Sequence, residues 1–159
     1  VWTYVKRPDR RFTVELPELT EQLRSLRTAE PFTDDEYPLV LSAGERRAFT
    51  ANTIYRDPTW RRRDPAGALR ISPQDAQRLG LDDGGLARVT TAAGTAQAVV
   101  EITDMMQPGH ISLPNGLGVD HPEYGRVGVA PNELTSVELR DAFAGTPWHK
   151  HVPARVEAV

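Results

Sequence analysis

Six guanidiniums crowd into residues 42 to 63, "SAGERRAFTANTIYRDPTWRRR": Arg46, Arg47, Arg56, Arg61, Arg62 and Arg63, against only Glu45 and Asp57. The segment is about +4 inside a chain whose formal net charge is −3. It has neither helical nor strand periodicity, so this asymmetry points to a local anionic ligand. The plainer reading is an exposed loop that salt-bridges to an acidic surface, because Arg replaces Lys almost everywhere and only Lys6 and Lys150 are lysines. Ser72 and Asp75 resemble a hydroxyl and carboxylate pair for catalysis, but their spacing is that of a helix cap. His149 and His151 flank Lys150 and invite a metal reading, yet no further ligand lies near them in sequence, so metal binding is not expected. The chain has no cysteine, which removes disulfides, thiolate metal sites and cysteine nucleophiles together.

The elements that must position these residues belong to an ordinary globular chain. At 159 residues, 39% hydrophobic and 26% charged, it can bury a real core in one domain. A pI near 5.8 argues against a dedicated nucleic-acid binder. No apolar run approaches the roughly 18 residues that span a bilayer, so no membrane contact is expected from this segment. The chain starts on Val1, which suggests a piece of something longer, with any targeting signal outside it. A cytoplasmic location is the favoured expectation.

Composition separates two parts, residues 1–36 and 37–159. In the first, "LPELTEQLRSLRT" repeats Leu16, Leu19, Leu23 and Leu26 at helical spacing, with Pro17 suited to a first turn, and predicts a short amphipathic helix. Residues before it support no more than an edge strand or extended arm. "TAEPFTDDEYP" reads as a proline-bounded linker. From residue 38 onward, short strands alternate with turn residues. "PLVLSAG" predicts a buried strand stopping at Gly44, and "ALRIS" predicts another. "SPQDAQRLGL" carries a full set of helix signals: Ser72 as N-cap, Pro73 at the first position, Asp75 in the first turn and Gly80 as C-cap. "LARVTTAAG", "GTAQAVVEITD" with Ala96, Ala98, Val100 and Ile102 on one face, "ISLPN" and "ARVEAV" complete about six strands. "VDHPEYGRVG" reads as a flexible loop, with no role for His121. Short strands with one helix wedged between them suggest a small closed or nearly closed barrel, since an open sheet would leave exposed edges.

A strand ending in a glycine turn, a basic loop bearing Thr and Asn, "ISPQDAQRLGLDDGGLARVTTAAG", "VVEITDMMQPGHISLPNG", "NELT" and "GTPWHKHVPARVEAV", in that order, resemble the C-terminal molybdopterin-dinucleotide-binding domain of molybdopterin oxidoreductases, over roughly residues 37 to 157. That superfamily includes formate dehydrogenases, nitrate reductases and dimethyl sulfoxide reductases. The resemblance implies a mainly β double-psi β-barrel of the aspartate-decarboxylase-like type with short helices, preceded by the arm and helix. It implies a molybdopterin guanine dinucleotide, two per full-length enzyme, with Mo or W held mainly by other domains of the same polypeptide. Iron–sulfur electron-transfer subunits are among the partners it suggests, and nucleic acid is not. The fragment alone is expected to be catalytically silent.

Carried onto this sequence, the resemblance gives the opening loop a reading: Gly44 lets backbone N–H groups approach pyrophosphate oxygens, Arg46 or Arg47 offers bidentate charge-assisted bonds, and Thr50, Asn52 and Thr53 add neutral donors. The family usually writes Thr-Gly-Arg and later His-Thr here. This chain has Ala43-Gly44-Glu45-Arg46 and Ala51-Asn52-Thr53 instead, so Glu45 joins the candidate contacts by position. Arg61 to Arg63 are expected in solvent or against a neighbouring domain. Asn132 in "NELT" matches a cofactor-contacting asparagine, against a turn or cap role. Lys150 matches the family's lysine near the cofactor. His110 and Asn115 stand near a strand mouth, with Asn115 the better pocket residue.

Two rivals remain at this level. A pyruvoyl decarboxylase on the same fold needs self-cleavage at a Gly-Ser bond, and the sequence contains no Gly-Ser pair. A double-psi-barrel adaptor or nucleotide-binding module without a redox role, like the N-terminal domains of some AAA ATPases, has no ATPase module beside it here.

Overall fold

In a computed structural model that describes residues 2–4, 6–12, 14–45, 64–123 and 125–159, the described residues form eight strands and two α-helices. Arg46, Arg47, Thr50, Asn52, Thr53, Arg56 and Arg61 to Arg63 lie outside the described residues. The chain divides into two compact units, Val1–Phe32 and Thr33–Val159.

In the first unit, helix α1 spans Pro17–Ser25. Proline suits the first turn because its missing N–H has no helical partner there anyway, and Glu18 and Arg24 sit at the ends that match the helix dipole. The expected leucine stripe is present, and Leu16, Leu19, Leu23 and Leu26 are all exposed. Trp2–Tyr4 form a 3-10 turn where an edge strand or extended arm was expected. Alternation over so few residues does not separate the two.

The second unit is built on β1 (Leu39–Glu45), β2 (Leu69–Ile71), helix α2 (Pro73–Leu79), β3 (Leu86–Thr90), β4 (Thr95–Ile102), β5 (His110–Pro114), a hairpin of β6 (Asp120–His121) and β7 (Gly125–Arg126), and β8 (Val152–Ala158). Six of these close into a barrel in the order β1-β5-β2-β4-β3-β8. Closure removes the edges that short strands would otherwise expose. β1 and β2 are consecutive in the chain, yet β5 lies between them. β4 and β5 are consecutive, yet β2 lies between them. Two crossed connections interlocked in this way make the double-psi β-barrel. The parallel pairs are β1 with β5 and β2 with β4. The C-terminal strand returns antiparallel to β1 and β3.

Strand alternation fills the barrel. Leu39, Leu41, Leu69, Ile71, Ala87, Val89, Val100, Ile111, Leu113, Ala154 and Val156 are buried in one cluster, each larger side chain worth roughly 1.5–3 kcal/mol relative to exposure. The hairpin at 120–126 lies where a flexible loop was expected. Two-residue strands are too short for alternation to betray them.

Capping of α2 follows the sequence closely. Ser72 Oγ accepts the Asp75 N–H at 3.1 Å, and Gly80 takes the left-handed conformation at φ 65°. Ser72 Oγ–H also donates to Asp75 Oδ2 (2.8 Å), which accepts the Gly109 N–H at 2.7 Å. Burial alone would raise the Asp75 pKa. The bonds from Gly109, Arg78 and Ser72 outweigh it and hold the carboxyl below its ordinary value. Asp75 thus ties the helix to the β4–β5 turn, a structural task.

Candidate cofactor site at one mouth of the barrel

Strand directions sort the loops into two ends. The C-terminal ends of β1, β3 and β5 and the N-terminal ends of β2, β4 and β8 lie at one mouth. Helix α2 and Gly109 lie at the other. His110 opens β5 and Asn115 follows its close, so only Asn115 reaches the mouth where β1 ends; His110 is placed at the opposite end.

Along β1, Leu39, Leu41 and Ala43 face the core. Ala43 pairs with Leu113, but Glu45 pairs with Pro114, so Gly44 is an inserted residue. Such a bulge needs a backbone most side chains avoid, and Gly44 has φ +83°. The strand therefore continues one residue past its expected stop. The insertion also reverses parity: Glu45 turns to the outer face instead of following Ala43 inward.

There the Glu45 carboxylate accepts bonds from Ser112 Oγ (2.5 Å) and Arg70 Nη1 (3.1 Å). Arg70 Nε donates to both oxygens of Glu101, at 3.0 and 3.1 Å. A polar ladder, Glu45–Ser112–Arg70–Glu101, thereby crosses four neighbouring strands. The Arg70 side chain is only 19% exposed. Burial alone would lower its pKa, but the Glu101 and Glu45 carboxylates outweigh that and hold the guanidinium above its usual value. Sequence reasoning missed Arg70, Ser112 and Glu101. The one available signal was a charged residue between Leu69 and Ile71, which marks an outward position but names no partner.

Two backbone bonds gather the remaining candidates. The Asn115 N–H donates to the Glu45 carbonyl at 3.0 Å, and the Ala43 N–H donates to the His149 carbonyl at 2.6 Å. The Asn115 amide stands over Gly44, with Cγ 3.6 Å from where a Cβ would be. His149 brings its neighbour Lys150 to the same mouth. The tail is delivered by a short hairpin in which Trp148 N–H bonds the Leu139 carbonyl. Asp141 accepts the N–H groups of Phe143, Ala144 and Thr146 at its tip. Those bonds, led by Ala144, hold the Asp141 carboxyl below its ordinary pKa.

Asn132 lies in a 3-10 turn, Pro131–Leu134, that packs against β1 and β4. Buried Leu134 anchors this turn, and its carbonyl accepts Thr91 Oγ1–H at 3.0 Å. Asn115, Asn132 and Lys150 are exposed. The structure thus brings Gly44, Glu45, Asn115 and the segment bearing Lys150 together, with Asn132 on an adjoining turn. Among the described residues, no group of three His, Asp or Glu side chains is placed to hold a metal.

A cleft of about 490 Å³ runs beside the 3-10 turn and the start of β8, lined by Leu134, Leu139, Val152, Tyr37, Asp34 and Glu138 among others. Its two carboxylates make it a poor seat for phosphate. No helix among the described residues is long and apolar enough to cross a membrane.

Residues 39–153 match the family model described as molydopterin dinucleotide binding domain. Two Staphylococcus aureus proteins that carry formate dehydrogenase in their names, from strains MRSA252 and USA300, are each 30% identical over 108 residues, 68% of this chain and 11% of the relative. The chain thus aligns with about a tenth of the length of these curated relatives. Among solved structures, acetylene hydratase from Pelobacter acetylenicus superposes with a TM-score of 0.61 at 24% identity, over 77% of this chain and 18% of that one. That likeness supports the fold.

Proposed function

Since the chain belongs to the molydopterin dinucleotide binding domain family, we propose that the mouth holding Gly44, Asn115 and Lys150 grips the dinucleotide of a molybdopterin cofactor, within a larger Mo- or W-dependent oxidoreductase. The observation that carries this reading is the pair of backbone bonds, Asn115 to Glu45 and Ala43 to His149, that draw three distant segments to one place.

The donor set fits the group. Asn115 and Asn132 present amides that both donate and accept, which suits a pterin or guanine edge. Lys150 supplies a compact cation for phosphate. Gly44 adds no side chain beneath them, and the Glu45 carboxylate is turned to the outer face, where Arg70 and Ser112 hold it. Arg46, Arg47, Asn52 and Thr53 follow directly in sequence and complete the proposed contact set. When bound, the cofactor and its metal supply the redox chemistry, and this domain binds and orients. We extend the reading to a guanine dinucleotide, two per enzyme, to other domains of the same polypeptide as the main metal holders, and to iron–sulfur subunits as electron partners. An adaptor role without redox chemistry is not favoured by the family match.

Mass spectrometry and elemental analysis of the full-length protein as purified test this. A pterin guanine dinucleotide with Mo or W is expected. Stoichiometric protein carrying no pterin would overturn the reading. The 159-residue chain alone should turn over no formate, nitrate or sulfoxide, and robust turnover would refute that part.

A further inference from the structure

We infer that Arg70 and Glu45 are positioning residues for the cofactor mouth: the ion pair locks the Gly44 bulge, and Glu45 acts through that bulge and not as a ligand to the anion. This rests on the proposed function of the same mouth.

Glu45 occupies a place where an anion-binding loop has least use for a carboxylate. A negative side chain facing a pyrophosphate repels it, by Coulomb's law, and its removal ought then to tighten binding. The structure points the carboxylate elsewhere. The inserted Gly44 turns Glu45 onto the outer face, where one oxygen meets Arg70 Nη1 at 3.1 Å and the other meets Ser112 Oγ. Arg70 is itself held by Glu101 on the far side through its Nε. The guanidinium is planar and forked, so it fixes direction as well as charge.

The consequence reaches the mouth through the main chain. With its side chain clamped outward, Glu45 presents its carbonyl to the Asn115 N–H at 3.0 Å. That bond seats the Asn115 amide over Gly44. Loss of the clamp leaves a glycine bulge free to relax, and the Asn115 amide loses its registration over Gly44.

The test is a set of variants of the 159-residue chain, Glu45→Gln, Arg70→Gln, their double and the milder Ser112→Ala, titrated with guanosine diphosphate as a probe of the nucleotide end. Amide exchange is followed at Asn115 and, as a fold control at the end that carries α2, at Leu81, which bonds the Ala76 carbonyl. The sign of the Glu45→Gln effect decides. Direct repulsion predicts tighter binding, because a like charge facing the diphosphate is removed. Positioning predicts weaker binding, by on the order of five- to tenfold. The double variant should then be no worse than either single, Ser112→Ala should fall between, and Asn115 should exchange on the order of tenfold faster with Leu81 unchanged.

Tighter binding by Glu45→Gln, or unchanged Asn115 exchange in both single variants, overturns the proposal. If the unsubstituted chain binds no guanosine diphosphate, the cofactor reading of the mouth fails separately, and the Asn115 exchange still decides the clamp.

Discussion

Replacing Asp75 with alanine removes the knot between α2 and the β4–β5 turn, and its size can be worked from the contacts. The side chain is 5% exposed. It accepts Gly109 N–H at 2.7 Å, Ser72 Oγ–H at 2.8 Å and Arg78 Nη2–H at 2.9 Å. The Arg78 partner is 52% exposed, so that pair adds little, about 0–0.5 kcal/mol. The other two are charge-assisted, at roughly 1.5 kcal/mol each, and the truncation leaves the Gly109 amide without its partner. Asp75→Ala should lose about 3 kcal/mol, or roughly 6–12 °C in Tm for a domain of this size. Asp75→Asn can keep its oxygen toward Ser72 and Gly109, so it should lose only about 1–2 kcal/mol, mainly the charge. The folded Asp75 pKa is depressed, so its stabilisation is present above the unfolded value near 3.9 and is lost as pH falls through the lower folded value. The gap between parent and Asp75→Asn should be constant from about pH 5 to 7 and close below about pH 4. Urea and thermal unfolding followed by circular dichroism read both. Asp75→Ala within about 0.5 kcal/mol of the parent at pH 7, or an Asp75→Asn gap unchanged at pH 3, would refute the reasoning.

Two other substitutions probe the packing of the barrel unit and its mouth. Gly118 combines φ +76° with a backbone neighbour, Ala130, less than 3 Å from where a Cβ would stand, so Gly118→Ala should cost at least about 2 kcal/mol in urea unfolding; a neutral result would contradict the packing described. Lys150 is exposed, so Lys150→Ala should leave Tm within about 2 °C while reducing the pterin content of the full-length protein, an effect that shrinks as salt in the purification buffer screens the lysine in the parent.

Local rules recovered the local structure. The caps of α2 were legible because Ser72, Pro73 and Gly80 satisfy terminal backbone groups within a few residues of themselves. The inward face of β4 was legible from a period of two. The strand order was not, because β1–β5 and β2–β4 pair segments with whole elements between them, and only the family resemblance supplied it. Gly44 could be read as a strand breaker, but a bulge is defined by the partner strand, and that partner lies some seventy residues away. For the same reason the Glu45–Ser112–Arg70–Glu101 ladder was invisible: its members are ordinary polar residues until the barrel aligns them. Among candidate site residues, Gly44 and Lys150 were chosen by resemblance and Asn115 by its place near a strand mouth, and their convergence came from the fold. His110, expected with Asn115 near a strand mouth, lies at the other end because strand β5 separates them.

Hydrogen exchange of the 159-residue chain with and without guanosine diphosphate tests the central claim most directly. Protection is expected in peptides covering residues 43–47, 114–118 and 147–151, with no change in those covering 73–85 and 103–109. Protection confined to the latter pair, at the end that carries α2, would contradict the assignment of this mouth to the cofactor.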